Sequence, residues 1–128
     1  MIMSSLLRLN DIDFPETINS SRPVLVSFGA PKQCYKCPKQ KPALEELAQQ
    51  GLPIFYVNLE EEDSEGINKS RDDHRVPLHR VYADGELLAQ HVGLTEADVL
   101  ETLLFEAEQT LKSRKRRAGN AVGSFGRW

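Results

Sequence analysis

Pro23-Val24-Leu25-Val26-Ser27-Phe28, then Cys34-Tyr35-Lys36-Cys37, then Pro38 to Gln50: this stretch decides the fold. The first segment is β-branched and apolar and reads as a buried strand. The last carries Leu44, Leu47 and Ala48 at helical spacing and ends at Gly51, a helix-stop residue. Between them lie the only two cysteines of the chain, separated by two residues. A pair so spaced brings its sulfurs together only where the chain turns sharply, and a strand-to-helix junction is such a place.

Chemistry follows from that position. A thiol attacks a disulfide as its thiolate, and the free NH groups at a helix N-terminus stabilise a thiolate. Cys34 comes first and is expected to be the exposed nucleophile. Cys37, one turn deeper, is expected to be the resolving thiol. Lys32 and Lys36 add positive charge nearby. The competing reading of a CxxC is half a zinc site, but a closed site needs four ligands, and only His74, His79 and His91 remain to supply two. Redox chemistry is the preferred reading, and it requires no metal or prosthetic group.

The chain has 128 residues, 40% apolar and 27% charged, which fits one domain with a moderate core. Its net charge of −3 hides an asymmetry. Residues 1–111 hold all 19 acidic side chains against 10 basic ones, whereas residues 112–128 hold six basic and no acidic ones. The expected division is therefore a domain over 1–111 and a basic tail over 112–128. Met1 to Asn10 lacks the pattern of a signal peptide, and no apolar run reaches the roughly 20 residues of a membrane span. Two cysteines in one CxxC then fit a reducing, cytoplasmic setting and a catalytic pair rather than a staple.

The remaining elements read in order. Leu6, Leu7 and Leu9 point to a short first strand, and Asp13-Phe14-Pro15-Glu16 to a helix start capped by Asp13. Pro53 to Asn58 repeats the buried-strand pattern, completing a βαβ unit with a right-handed crossover. Glu60-Glu61-Glu62-Asp63 reads as a solvated helix start, and Ser64 to Arg75 as a short helix and loop. Leu78 to Tyr82 and Glu86 to Val92 read as two strands around the hairpin signal Asp84-Gly85. Thr95-Glu96-Ala97-Asp98 has the form of a capping box ahead of a long helix with the apolar stripe Val99, Leu100, Leu103, Leu104, Ala107 and Leu111.

This order, with CxxC after the second strand and a hairpin before the last helix, resembles the thioredoxin family over about residues 5–110. Four local features carry the likeness. Pro42 lies where the family has a helix-kinking proline, and Val76-Pro77 is similar to its Ile-Pro, whose proline is cis and faces the disulfide. Asp84-Gly85-Glu86 resembles its Asn-Gly-Glu turn, and Val92-Gly93 the Val-Gly that borders its substrate groove. The resemblance implies a central mixed sheet flanked by helices. It also implies a peptide groove shaped by Val76, Pro77, Val92 and Gly93, in which the backbone of Val76 pairs with substrate.

The departures are as informative. Gln33-Cys34-Tyr35-Lys36-Cys37 stands in place of the family's Trp-Cys-Gly-Pro-Cys, and Gly29 in place of a second tryptophan. Two aromatic walls of the substrate surface are thus absent. Ser27 and Tyr56 occupy the positions of the family's buried aspartate and its lysine partner. That aspartate assists deprotonation of the second cysteine, so Cys37 needs another route for its proton. Lys36, replacing a proline, is expected to stabilise the thiolate and raise the reduction potential above thioredoxin's, roughly −270 mV. Pro38 implies a helix that starts near Cys37, with Cys34 somewhat before it. His79 and Arg80 put a polar group on each face of a strand that is central in the family. His74, close in sequence to Pro77, is a weaker candidate for proton transfer.

The expected function is thiol–disulfide oxidoreduction on protein disulfides, with a reductase or glutathione as electron donor. The alternative is a non-catalytic binding subunit of a larger assembly. Its anchor would be Lys112 to Arg117, aided by Phe125 and Trp128, engaging an assembly partner, an acidic surface or nucleic acid.

Overall fold

The computed structural model describes residues 6–125, with side chains described for residues 6–116. Five strands form one sheet: β1 (Leu7–Arg8), β2 (Val24–Gly29), β3 (Ile54–Asn58), β4 (Leu78–Ala83) and β5 (Glu86–Val92), in the spatial order β1-β3-β2-β4-β5. β1, β3 and β2 run parallel, while β4 is antiparallel to both β2 and β5. The parallel pairing of β2 and β3 requires the crossover helix α2 (Cys37–Gln49). β4 and β5 need only the two-residue turn Asp84-Gly85, whose φ values of 53° and 76° place both residues in the left-handed region such a turn demands.

Both sheet faces are covered, which is why every residue of β2 and of β4 is buried. One face packs Val24, Val26, Phe28, Val57, Leu78 and Tyr82 against Phe14 and Ile18 of α1 (Asp13–Ile18) and Ile67 of α3 (Glu65–Ser70). The other packs Leu25, Ile54 and Val81 against Leu44, Leu47 and Ala48 of α2 and Leu100, Leu104 and Ala107 of α4 (Ala97–Phe125). Truncating one of these leucines, each nearly inaccessible, to alanine is expected to cost about 2–5 kcal/mol. The sheet thus clamps the N-terminus of α2 over the C-terminal end of β2. No helix among the described residues is long and apolar enough to cross a membrane.

Several local expectations are corrected. Asn10, not Asp13, caps α1: its Oδ1 accepts from the NH groups of Ile12 and Asp13, both at 2.9 Å, and Asp13 lies inside the first turn. Thr95 donates its hydroxyl back to Gly93 O at 2.7 Å instead of serving a capping box. Val99 stands outside the buried stripe of α4, being 43% exposed. The acidic run is more than a solvated helix start. Asp63 forms a two-pronged ion pair with Arg8 at 2.8 and 2.9 Å, and Glu60 reaches the loop before Cys34. Residues 112–116 continue α4 with exposed side chains. The side chain of Phe125 and all of Trp128 lie outside the described residues.

Candidate active site

α2 begins at Cys37 itself, with Pro38 in its first turn, where a missing NH costs nothing. Cys34 sits in the preceding turn, held by its NH to Ala30 O at 2.8 Å. Glu60 fixes that turn from outside. Its carboxylate accepts from the NH of Lys32 at 3.0 Å and of Gln33 at 2.9 Å, so a charged acceptor replaces solvent for two backbone donors.

The two thiols have unlike surroundings. Cys34 is partly exposed, and its Sγ donates to the carbonyl O of Val76 at 3.7 Å. Burial raises its thiol. The side-chain hydrogen bond from Cys37, the NH groups of Lys36 and Cys37, and the charge of Lys36 outweigh burial and bring it below the ordinary range. Starting the helix at Cys37 therefore does not deprive Cys34 of helix-end donors. Cys37 is 6% exposed. Burial first, then its bond to Cys34, push its thiol up to about 11, against the opposing NH of Ala30, 3.5 Å from its Sγ.

Val76, Pro77, Val92 and Gly93, the residues expected to shape a groove, lie at the β4–β5 side of β2. The Val76–Pro77 peptide bond is cis. Gly93 donates its NH to Pro77 O at 2.8 Å, so the segments before β4 and after β5 close on each other. Gly93 O is shared by Thr95 Oγ1 at 2.7 Å and His79 Nε2 at 3.1 Å. Val92 packs against the core and faces Leu78 across the β4–β5 ladder.

His79 is fully buried in β4. Burial lowers its imidazole to about 4, so it is neutral, with Nδ1 lacking a partner. Arg80, 7% exposed, is satisfied by Asp72 at 2.7 Å and Gln90 at 3.0 Å. His74 is exposed and lines a recess of about 110 Å³ with Gln33, Glu60, Arg71 and Val76. Tyr35, 74% exposed between the cysteines, lies under the ammonium groups of Lys36 and Lys39 at 5.8 and 5.6 Å. Among the described residues, no group of three or more His, Cys, Asp and Glu side chains gathers as a metal site would need.

Two contributors escaped the sequence reading. Glu60 could not have been found, because its contact spans 27 and 28 residues of chain. Gln40 left a signal: it falls one turn before Leu44 on the buried stripe of α2. Its amide makes two 2.7 Å bonds to the backbone of Thr95, donating to the carbonyl and accepting from the NH. A polar residue in that register, 2% exposed, must find partners. These partners tie the helix of the cysteines to the segment that follows β5.

The thioredoxin family model matches residues 5–106. The chain belongs to the thioredoxin family. It is 30% identical over 93 residues to a thioredoxin of Haemophilus influenzae, an overlap covering 71% of this chain and 86% of that protein. Among solved structures, a variant thioredoxin from Halobacterium salinarum superposes with a TM-score of 0.68 at 22% identity, covering 84% of this chain and 96% of that one. Thioredoxin f2 of Chlamydomonas reinhardtii gives 0.68 at 21% identity, covering 79% and 94%. The expected α/β fold, a mixed five-strand sheet flanked by helices, is thus the thioredoxin fold. Membership and fold support a thiol–disulfide oxidoreductase type of function, and the Cys34–Cys37 pair is consistent with it.

Proposed function

We propose that this thioredoxin-family chain reduces or exchanges protein disulfides through Cys34 and Cys37, with a reductase or glutathione supplying electrons. The observation that carries the reading is the pairing of a partly exposed, acid-shifted thiol with a buried, base-shifted one, 3.7 Å from the carbonyl that precedes a cis proline. The thiolate of Cys34 attacks one sulfur of the substrate and releases the other as a thiolate. On losing its proton, Cys34 also gives up its bond to Val76 O, which leaves that carbonyl for an extended substrate chain. Val76, Pro77, Val92 and Gly93 form the groove. Cys37 then attacks Cys34 Sγ, closes the internal disulfide and expels the reduced substrate. Lys36 acts through its charge on Cys34.

Insulin reduction with dithiothreitol tests this reading. Turnover by the full chain should vanish in Cys34→Ser, whereas Cys37→Ser should trap substrate as a mixed disulfide. An inactive full chain, with partners that co-purify and are lost on deleting 112–128, would instead mark a binding subunit held by its basic tail.

A further inference from the structure

Cys37 has to lose a proton before it can resolve a mixed disulfide, and burial holds its thiol up near 11. The NH of Ala30, 3.5 Å from its Sγ, steadies the thiolate but cannot take the proton. A cleft of about 440 Å³ reaches Cys37 from the β1–β3 side of β2, walled by Arg8 of β1, Tyr56 and Asn58 of β3, and Pro38, Lys41 and Glu45 of α2. β1 and β3 lie on one side of β2, and the groove strands β4 and β5 on the other.

Tyr56 stands where this cleft meets the thiol. β3 pairs with β2 so that Tyr56 faces Ser27. Gly29, two residues further along β2, puts no side chain between the Tyr56 ring and Cys37. A Cβ at Gly29 would sit 3.3 Å from Tyr56 Cε2, 3.5 Å from its hydroxyl and 3.5 Å from Cys37 Cβ. Tyr56 and Cys37 both line the cleft, so the phenol and the thiol share the same solvent space.

We propose that Tyr56 is the group through which Cys37 delivers its proton to solvent. In the step, the proton of Cys37 passes through cleft water to the Tyr56 oxygen as the phenolic proton moves on to solvent or to the carboxylate of Glu45. The freed electron pair of Cys37 forms the bond to Cys34 Sγ. The bond between Cys34 and the substrate sulfur breaks, and its pair leaves with that sulfur, which is protonated from solvent. The substrate disulfide is thereby reduced, and Cys34 and Cys37 are oxidised. The phenol is itself pushed up to about 12, by burial and then by the charges of Cys37 and Glu60, so it relays the proton and donates to the thiolate without holding a charge. The charged groups around it are Arg8 from β1, Glu60 and Glu61 after β3, and Lys41 and Glu45 from α2.

The inference rests on the oxidoreductase reading, and single-turnover kinetics separate the two. Tyr56→Phe keeps the ring. It should leave formation of the mixed disulfide by Cys34 unchanged, slow its resolution by about tenfold or more, and displace the pH profile of resolution upward. Resolution by the unaltered chain should slow in D₂O, a measurement that needs no variant. Resolution by Tyr56→Phe at the unaltered rate between pH 6 and 9, or no solvent isotope effect on that step, overturns this role for Tyr56 and leaves the oxidoreductase reading standing. A full chain that forms no mixed disulfide at all overturns both.

Discussion

Cys34 and Cys37 differ in nothing but their place in one turn of chain, yet one thiol is shifted down and the other up. The side of β2 toward β4 and β5 offers Cys34 partial exposure, a carbonyl acceptor and helix-end NH donors. The side toward β1 and β3 offers Cys37 a buried pocket with an aromatic ring and a narrow way to solvent. The pair shows that spacing brings two sulfurs together but does not assign their roles. Burial and donors within a few ångströms make that assignment, and one pKa unit corresponds to about 1.4 kcal/mol between protonation states.

The largest expected effect tests this asymmetry directly. Near pH 7, a thiol held at about 11 is thiolate in roughly one molecule in 10⁴. Iodoacetamide should therefore label Cys34 at least about 100-fold faster than Cys37, read by peptide mass analysis; equal rates would erase the contrast.

The second effect lies beneath the groove. His79 is neutral in the folded chain down to about pH 4, whereas an unfolded histidine protonates near 6.5. As pH falls through that window the unfolded chain binds a proton that the folded one does not, so stability should decline from about pH 6.5 to about 4. The size is of order 3 kcal/mol. His79→Leu should flatten that part of the urea-denaturation profile, and an unchanged acid limb would show that His79 is not its source.

The smallest effect concerns charge alone. Lys36 is exposed, so its influence on Cys34 is screened. Lys36→Gln should slow alkylation of Cys34 by about two- to threefold at low salt, less at 1 M salt, and leave Cys37 unaffected. It should also lower the reduction potential, which in the unaltered chain is expected above thioredoxin's roughly −270 mV. Cys37 contributes little to that potential at neutral pH, because a thiol held up near 11 stays protonated there.

Much of the fold was legible because it is written in local periodicity. The apolar runs at 23–28 and 53–58, the stripe Leu44-Leu47-Ala48 and the Asp84-Gly85 turn each mark an element through residues that are neighbours in the chain. Caps were less legible. Asp13 and the Thr95–Asp98 box have the right residue types, but nearby polar groups satisfied different donors: Asn10 reached the start of α1, and Gln40 reached Thr95. The clue of Gln40 lay in its register on the helix, and that of Glu60 lay nowhere in the local sequence.

By itself the sequence determined that two thiols meet at a strand–helix junction, that a proline precedes β4, and that a helix crosses between two buried strands. These follow from residue spacing and from which side chains avoid water. Tertiary structure decided that Cys34 lies 3.7 Å from Val76 O, that Glu60 braces the turn before it, and that Tyr56 and Cys37 line one cleft beside Gly29. Burial and hydrogen bonding act over a few ångströms of space, and the groups that supply them here are brought in from distant parts of the chain by the pairing of strands.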